Sequence, residues 1–100
     1  MTEIDEAQIL DALGAVIDPE LGLDIVSLGL VYEIVSTPEE VQVVHTLTSP
    51  GCPMATHIAM AIVSEVAPLC PGRTVRPVVV FSPRWGLERI SEEARFALGL

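Results

Sequence analysis

Basic residues are scarce in this sequence, which has five Lys and Arg against 14 Asp and Glu and a formal net charge of −9. A chain of this charge repels a nucleic-acid backbone instead of neutralising it, so we expect no binding to nucleic acid. The acidic residues are spread towards both ends of the chain without a block of one sign. They therefore form no acidic tail, and their main effect is on solubility.

Long uninterrupted apolar runs are also lacking. The uncharged stretch at residues 41–64 has the length of a membrane span, but threonines, prolines and a glycine interrupt it. The opening residues MTEIDEAQ are acidic and unlike a secretion or transit signal. We therefore expect no membrane segment and a cytoplasmic location.

Cysteine occurs only at Cys52 and Cys70, and in a reducing compartment both are expected to be thiols. They flank a predicted helix of about 13 residues, roughly 20 Å long, whereas a disulfide needs Cα atoms closer than about 7 Å. A disulfide or a shared metal within one chain is therefore not expected, which argues against a CxxC-type redox enzyme. Cys70 is predicted to be structural, because free cysteines are usually buried.

One available cysteine provides too few ligands for an iron-sulfur cluster or a structural zinc, each of which needs about four. A metal bound by Cys52 must take its other ligands from a second subunit, a small thiol or nearby oxygen atoms. The sequence therefore predicts a labile and exchangeable site, which is a property required in a carrier.

Signatures of common enzyme classes are missing. The sequence has no G-x-S-x-G motif of serine hydrolases and no G-x-x-x-x-G-K phosphate loop. A cysteine protease needs a histidine base oriented by a third group, and no such set is evident. These absences favour a function other than classical hydrolysis.

The patterns that are present predict one α+β domain over residues 1–100, since this length supports a single core of two layers. Apolar spacing and turn residues predict helices at 3–16, 54–66 and 91–98, and strands at 28–35, 41–47 and 74–81. The first two strands form a hairpin, and the third joins in parallel through a right-handed crossover. The expected architecture is a two-layer α-β-β-α-β-α domain with a small mixed sheet.

A cysteine lies at the joint between the second strand and the second helix. Pro50 and Gly51 indicate a turn, and Pro53 suits the first position of a helix. Cys52 is thus predicted at or next to the N-cap, where unpaired N–H groups and the helix dipole favour the thiolate that binds metal or attacks. The alternative is a small buried residue that fills a gap under the turn.

Carboxylates gather in the bend that follows the first helix, at Asp18, Glu20 and Asp24. They could bind a hard cation or act as acid and base, or Asp18 and Glu20 could accept hydrogen bonds from backbone N–H groups of the turn. His45 lies on an apolar strand face and is predicted to be packed. His57 lies on the more polar stripe of the second helix, where it is a candidate metal ligand.

Three stretches together resemble one known family. They are DPELG at 18–22 with DIVSLGLVY at 24–32, TLTSPGCP at 46–53, and PRW at 83–85. The chain is similar to SufT-like and PaaD-like iron-sulfur cluster assembly proteins from about residue 4 to its end. The resemblance implies an α+β domain related to the C-terminal domain of NifU-type scaffolds, and a role in maturing or delivering iron-sulfur clusters.

The resemblance also implies the site residues, which are Asp18, Glu20, Leu21, Thr48, Ser49 and Cys52. Cys52 is the candidate metal ligand and acts with Asp18, Glu20 and Thr48, while Leu21 and Ser49 join it in cofactor binding. Ser49 stands where the family usually has threonine. Ser82 and Arg84 stand where an acidic residue and a second proline are common, and the cysteine-rich C-terminal extension of PaaD proteins is absent from this sequence.

The leading hypothesis is a cytoplasmic accessory or carrier protein that handles a labile iron-sulfur cluster or iron. Its implied partners are the assembly machinery and client apoproteins, with a homodimer as one further possibility. One alternative is an adaptor that docks clients or machinery through apolar surface and holds no cluster. Others are a PaaD-like subunit supporting a multicomponent oxygenase, and an enzyme whose Cys52 transfers sulfur or performs thiol redox chemistry.

Overall fold

The structure is a computed structural model of the chain, and it describes residues 6–48 and 54–100. Its main elements follow the predicted order of helices and strands. They are α1 (Glu6–Leu13), β1 (Val31–Ser36), β2 (Glu40–His45), α2 (Ala55–Val66), β3 (Thr74–Val79) and α3 (Glu92–Leu98). Two short 3-10 turns, at Ala67–Leu69 and Leu87–Arg89, follow α2 and precede α3. The prediction of an α+β fold is confirmed.

The three strands form one mixed sheet in the order β1-β2-β3. β1 and β2 pair in antiparallel fashion from Val31 opposite His45 to Ser36 opposite Val41, with an irregularity next to Val31. β2 and β3 pair in parallel, with Val41 opposite Val75. Because α2 lies between β2 and β3 in the chain and packs against β3, the predicted strand-helix-strand crossover is confirmed. β3 is an edge strand of this sheet.

The core lies between the sheet and the helices α1 and α2. In β2 the side chains of Val41, Val43 and His45 are buried while the intervening residues are only half-buried, as the alternation in the sequence predicts. α1 contributes Ile9 and Leu13 to the same core. Cys70 follows α2 and is 2% exposed, which confirms it as a packed structural residue. No helix in the described ranges is long and apolar enough to cross a membrane.

The segment before β1 differs from the prediction of a strand that begins at Leu28. Leu28 N–H donates to the Asp24 carbonyl at 3.1 Å and Leu30 N–H donates to the Ile25 carbonyl at 2.9 Å, so these residues form turns. Gly29 has a φ of +72°, which an extended strand does not use. Residues 28–30 therefore form a buried turn and are not the beginning of β1. The strand starts three residues later, at Val31.

The chain after β3 returns to this turn and is tied to it by hydrogen bonds. The Trp85 indole N–H donates to the Leu28 carbonyl at 2.7 Å, and Ser91 N–H donates to the Ser27 carbonyl at 2.8 Å. Ser91 is also the N-cap of α3, where its hydroxyl accepts from Ala94 N–H at 3.2 Å, in agreement with the predicted helix start. These hydrogen bonds hold the loop that carries Trp85 close to the turn that precedes β1.

Candidate functional site

The cysteine joint itself, including Ser49 and Cys52, lies outside the described residues, so its surroundings are given by the flanking chain. On the helix side, Met54 is the N-cap of α2, with φ −93° and ψ 10° and no side-chain cap. Its carbonyl accepts the first helical bond from Ile58 N–H at 2.9 Å. α2 begins at Ala55, one residue after the predicted start at Met54, and the prediction for Pro53 lies outside the described residues. In the chain, Cys52 precedes the N-cap by two residues.

On the strand side, Thr48 lines a cavity of about 310 Å³. Its described walls are Thr46, Leu47, Thr48, Phe81, Arg84 and Trp85. The Thr48 hydroxyl oxygen is buried and has no hydrogen-bond partner among residues 6–48 and 54–100. Thr46 lines the same cavity. We refer to this space as the Arg84 cavity.

The acidic bend is organised around Asp18, whose side chain is fully buried. One carboxylate oxygen, Oδ1, accepts from Glu20 N–H at 2.8 Å and from Leu21 N–H at 3.1 Å. The bend is closed by Gly22 N–H, which donates to the Asp18 carbonyl at 2.8 Å. The turn-stabilising interpretation of Asp18 is thus confirmed, and Leu21 is half-buried against the core. The side chain of Glu20 is exposed.

The second carboxylate oxygen of Asp18, Oδ2, is buried and has no hydrogen-bond partner within the described part of the chain. A buried oxygen without a partner costs about 1–3 kcal/mol, and more when it is charged. Such an atom calls for an explanation beyond folding, because native proteins satisfy nearly all buried polar groups. Asp18 Oδ2 and the Thr48 hydroxyl are the two side-chain oxygens of this kind in the described ranges, and both belong to predicted site residues.

The three carboxylates of the bend do not converge on one point. Asp24 Oδ2 accepts from Ser27 N–H at 2.9 Å and so stabilises the next turn. No group of three or more His, Cys, Asp or Glu able to hold a metal ion occurs within residues 6–48 and 54–100. The described residues therefore do not support the alternative in which Asp18, Glu20 and Asp24 bind a hard cation, because Asp18 and Asp24 each stabilise a separate turn.

The bend and the Arg84 cavity are connected through the turn before β1. Leu28 donates its N–H to the Asp24 carbonyl at 3.1 Å and accepts the Trp85 indole N–H at 2.7 Å. Trp85 in turn lines the Arg84 cavity together with Thr48. Asp18, Glu20 and Leu21 are not among the described residues that line it. The cavity thus brings Thr48 to Arg84 and Trp85 rather than directly to the acidic bend.

Sequence reasoning did not assign Arg84 or Trp85 to the site. Both belong to the PRW stretch, where the chain departs from the family pattern at Arg84. Two signals could have pointed to them, since Trp85 is the only tryptophan and Arg84 is one of only five basic residues in an acidic chain. A large aromatic side chain and a cation in one loop are typical of a ligand-binding segment.

The two histidines differ in environment. His45 is 2% exposed, so the prediction of a packed histidine is confirmed, whereas His57 is exposed on α2. Burial lowers the pKa of His45 below its usual value of 6.5, an effect that its hydrogen bond with the Thr46 carbonyl partly opposes. Burial therefore favours the neutral form of His45 in the folded protein.

This burial predicts a pH-dependent stability. The unfolded chain binds a proton at His45 more readily than the folded chain, so the free energy of unfolding should fall as the pH decreases below about 6.5, by at most about 1.4 kcal/mol per pH unit. His45→Leu should lose this component between pH 6.5 and 5.5, while His57→Gln should retain it. Urea unfolding across this range measures the effect. Equal pH dependence in wild type and His45→Leu would contradict it.

The chain is similar to known proteins over its whole length. Residues 6–80 match the model of a family described as iron-sulfur cluster assembly protein. The chain is 38% identical over 101 residues to the Fe-S protein maturation auxiliary factor YitW of Bacillus subtilis, covering 100% of this chain and 99% of the relative. It is 43% identical over 86 residues to the Fe-S protein maturation auxiliary factor SufT of Staphylococcus aureus, covering 85% and 98%.

Two solved structures share the fold. A domain of unknown function from Bacillus anthracis superposes with a TM-score of 0.88 at 40% identity, covering 95% of this chain and 92% of that one. A conserved hypothetical protein from Thermotoga maritima superposes with a TM-score of 0.82 at 38% identity, covering 100% of both chains. The three helices and small mixed sheet are therefore shared across chains of similar length.

Proposed function

This chain belongs to the iron-sulfur cluster assembly protein family, and from that premise we propose that it is an auxiliary factor in the maturation of iron-sulfur proteins. It acts in the cytoplasm as a single domain over residues 1–100, between the assembly machinery and client apoproteins. Two relatives, at 38% and 43% identity, carry the name of maturation auxiliary factors, which supports this role. The cluster or iron is cargo in this proposal and is passed on to clients.

Cys52 is the proposed cargo ligand. The other cysteine, Cys70, is 2% exposed in the core and is not available for exchange. A lone thiolate needs further ligands from a second copy, a small thiol or oxygen atoms, so the cargo is bound weakly enough to be released. Ser49 and Leu21 complete the proposed cargo-binding set.

The observation that carries the proposal is the buried Oδ2 of Asp18, which lacks a partner in the described part of the chain. Oδ1 alone accepts the two hydrogen bonds of the turn, so folding of the bend does not require a second charged oxygen. We assign Oδ2 to the cargo step, where it accepts a proton or hydrogen bond from the site. We assign Glu20 and the Thr48 hydroxyl to the same step.

The substitution Asp18→Asn separates the role of Oδ1 in the turn from the proposed role of Oδ2 in the cargo step. An asparagine still offers Oδ1 to both turn N–H groups, but it replaces Oδ2 with an NH₂ group, which donates hydrogen bonds and cannot accept them. In cells that lack the wild-type protein, we expect Asp18→Asn to restore less than a tenth of the activity of iron-sulfur client enzymes. The melting temperature of the purified variant, measured by circular dichroism, should stay within a few degrees of wild type.

Asp24→Asn is the matched control for this assay. Its side chain also lies in the bend and accepts one turn N–H, at 2.9 Å, and this role is structural. It should restore client activity to near the wild-type level. Full rescue by Asp18→Asn at equal protein abundance would remove the basis for assigning Oδ2 to the cargo step.

A second candidate function, an adaptor without cargo, is favoured by the outer surface of α2. An apolar groove of about 500 Å³ runs there between α2 and β3, lined by Thr56, Ala59, Met60, Val63, Ser64 and Pro77. Met60 in this groove is 68% exposed, and exposed apolar grooves are typical of protein-docking surfaces. If this function is correct, Met60→Ser abolishes client activation and Cys52→Ser leaves it intact. The carrier proposal predicts loss with Cys52→Ser.

A further inference from the structure

The guanidinium of Arg84 is exceptional among the cations of this protein. All five basic residues are arginines, and four of them engage described residues. Those contacts are Arg73 to the Ser36 hydroxyl at 3.1 Å, Arg76 to Glu40 at 3.2 Å, Arg89 over the Tyr32 ring at 4.7 Å, and Arg95 to the Leu87 carbonyl at 3.4 Å. Arg84 makes no hydrogen bond, ion pair or ring contact with residues 6–48 or 54–100. Arg84 is also exposed, so its guanidinium is open to solvent and to a ligand.

Arg84 lines the same cavity as the buried Thr48 hydroxyl, which also lacks a partner in the described ranges. The other described walls are Thr46 and the apolar side chains of Leu47, Phe81 and Trp85. Trp85 is held in place by its 2.7 Å hydrogen bond to the Leu28 carbonyl, so this wall is preorganised. A rigid apolar wall with a guanidinium and a hydroxyl fits an organic molecule that ends in an anionic group.

We propose that the Arg84 cavity binds the carboxylate of a small thiol. A guanidinium presents parallel N–H donors that match a carboxylate, and the Thr48 O–H can donate to the same group. A single arginine balances the single charge of a carboxylate, whereas a phosphate carries nearly twice that charge. At about 310 Å³, the cavity has room for a ligand of peptide-fragment size.

The thiol part of the inference rests on the proposed function. Cys52 provides one thiolate, and no metal-holding group of acidic, histidine or cysteine residues exists in the described ranges. A small thiol can supply the missing sulfur ligand, because soft thiolates bind iron and iron-sulfur clusters. Cys52 follows Thr48 by four residues, so its Cα is at most about 14 Å from that of Thr48. A thiol anchored by its carboxylate would provide a second, exchangeable ligand.

The carboxylate site is tested on the full-length protein without metal. The single tryptophan lines the cavity, so the indole N–H signal in a nitrogen-proton NMR spectrum reports binding directly. S-methylglutathione, which cannot form a disulfide with the protein, should shift this signal in a saturable way. Its diethyl ester, in which both carboxylates are blocked, should bind at least tenfold more weakly, because a charge-assisted hydrogen bond is lost.

Variants of the protein locate the site. Arg84→Gln should weaken S-methylglutathione binding at least tenfold, and Thr48→Val should weaken it several-fold. Arg76→Gln removes the same charge from the sheet, away from the cavity, and should bind as wild type does. Equal affinity of the ester, equal affinity of Arg84→Gln, or displacement by inorganic phosphate at the same concentration would overturn the carboxylate site.

The thiol is tested after anaerobic loading with iron and sulfide. Glutathione, but not S-methylglutathione, should at least double the iron retained per chain after desalting, and Arg84→Gln should lose this gain. Equal retention with both compounds would overturn the role of the thiol. If iron retention does not depend on Cys52 while the apo protein still binds S-methylglutathione through Arg84, the proposed function fails and the carboxylate site stands.

Discussion

Replacement of Gly29 by alanine should lower the free energy of unfolding by about 4 kcal/mol, the largest stability loss that we expect from adding one methyl group. Gly29 has a φ of +72°, and an added Cβ would lie 2.1 Å from the Arg89 carbonyl oxygen. The left-handed conformation costs a non-glycine residue about 1–2 kcal/mol, and forced movement of packed backbone costs about 1–3 kcal/mol more. For a domain of this size, the melting temperature should fall by roughly 15 °C or more.

Gly22→Ala is the matched control, because it has the cost of the left-handed conformation without the steric clash of the added Cβ. Gly22 has a φ of +73°, but an added Cβ would meet nothing within 4 Å. Only the conformational cost applies, so we expect a loss of about 1 kcal/mol and a decrease of about 5 °C. Thermal and urea unfolding followed by circular dichroism measure both variants. Equal losses at the two positions would show that the contact between the turn and Arg89 does not constrain the fold.

The second large effect concerns cargo. After anaerobic incubation with iron and sulfide, Cys52→Ala should retain less than a tenth of the iron and of the visible chromophore that wild type retains. The physical reason is that the proposed site has one protein thiolate, and without it only oxygen ligands remain for a soft metal centre. Iron per chain after desalting, together with the absorption spectrum, measures the loss.

Cys70→Ala is the control for this experiment. Cys70 is buried in the core, so its substitution should lower stability by about 1–2 kcal/mol through the loss of packed volume. The folded fraction should nevertheless retain iron as wild type does. If Cys52→Ala and wild type retain the same iron and sulfide per chain, Cys52 is not the cargo ligand, and the adaptor function gains support.

The fold was largely predictable because its elements carry local signals. The alternation of Val41, Val43 and His45 identifies the buried face of β2, and the serine at position 91 marks the start of α3 through its hydroxyl. The beginning of β1 was not predictable, because Leu28 and Leu30 are buried by tertiary packing and not by membership of a strand. Both residues are buried and lie in a turn whose hydrogen bonds differ from those of a strand. Residue propensity alone cannot distinguish a buried turn from a buried strand.

The candidate site was predictable only in part. Asp18 could be placed at a turn from its proline and glycine neighbours, but its unpartnered Oδ2 depends on what surrounds the bend in three dimensions. Arg84 belongs to the candidate site because it has no partner among the described residues and lines the same cavity as Thr48, which is 36 residues away in the chain. Such long-range relations leave no periodic signal in a single sequence.

The edge position of β3 has a consequence for association between molecules. Thr74 N–H donates to the Glu39 carbonyl and Val80 N–H donates to the His45 carbonyl, so even-numbered residues of β3 bond towards β2 and odd-numbered ones face outward. Pro77 is odd-numbered, and its missing N–H therefore falls on the open side. A strand from a neighbouring chain could not form a continuous set of hydrogen bonds with this edge, because one N–H donor is missing. This disfavours fibril-like stacking of the protein at high concentration.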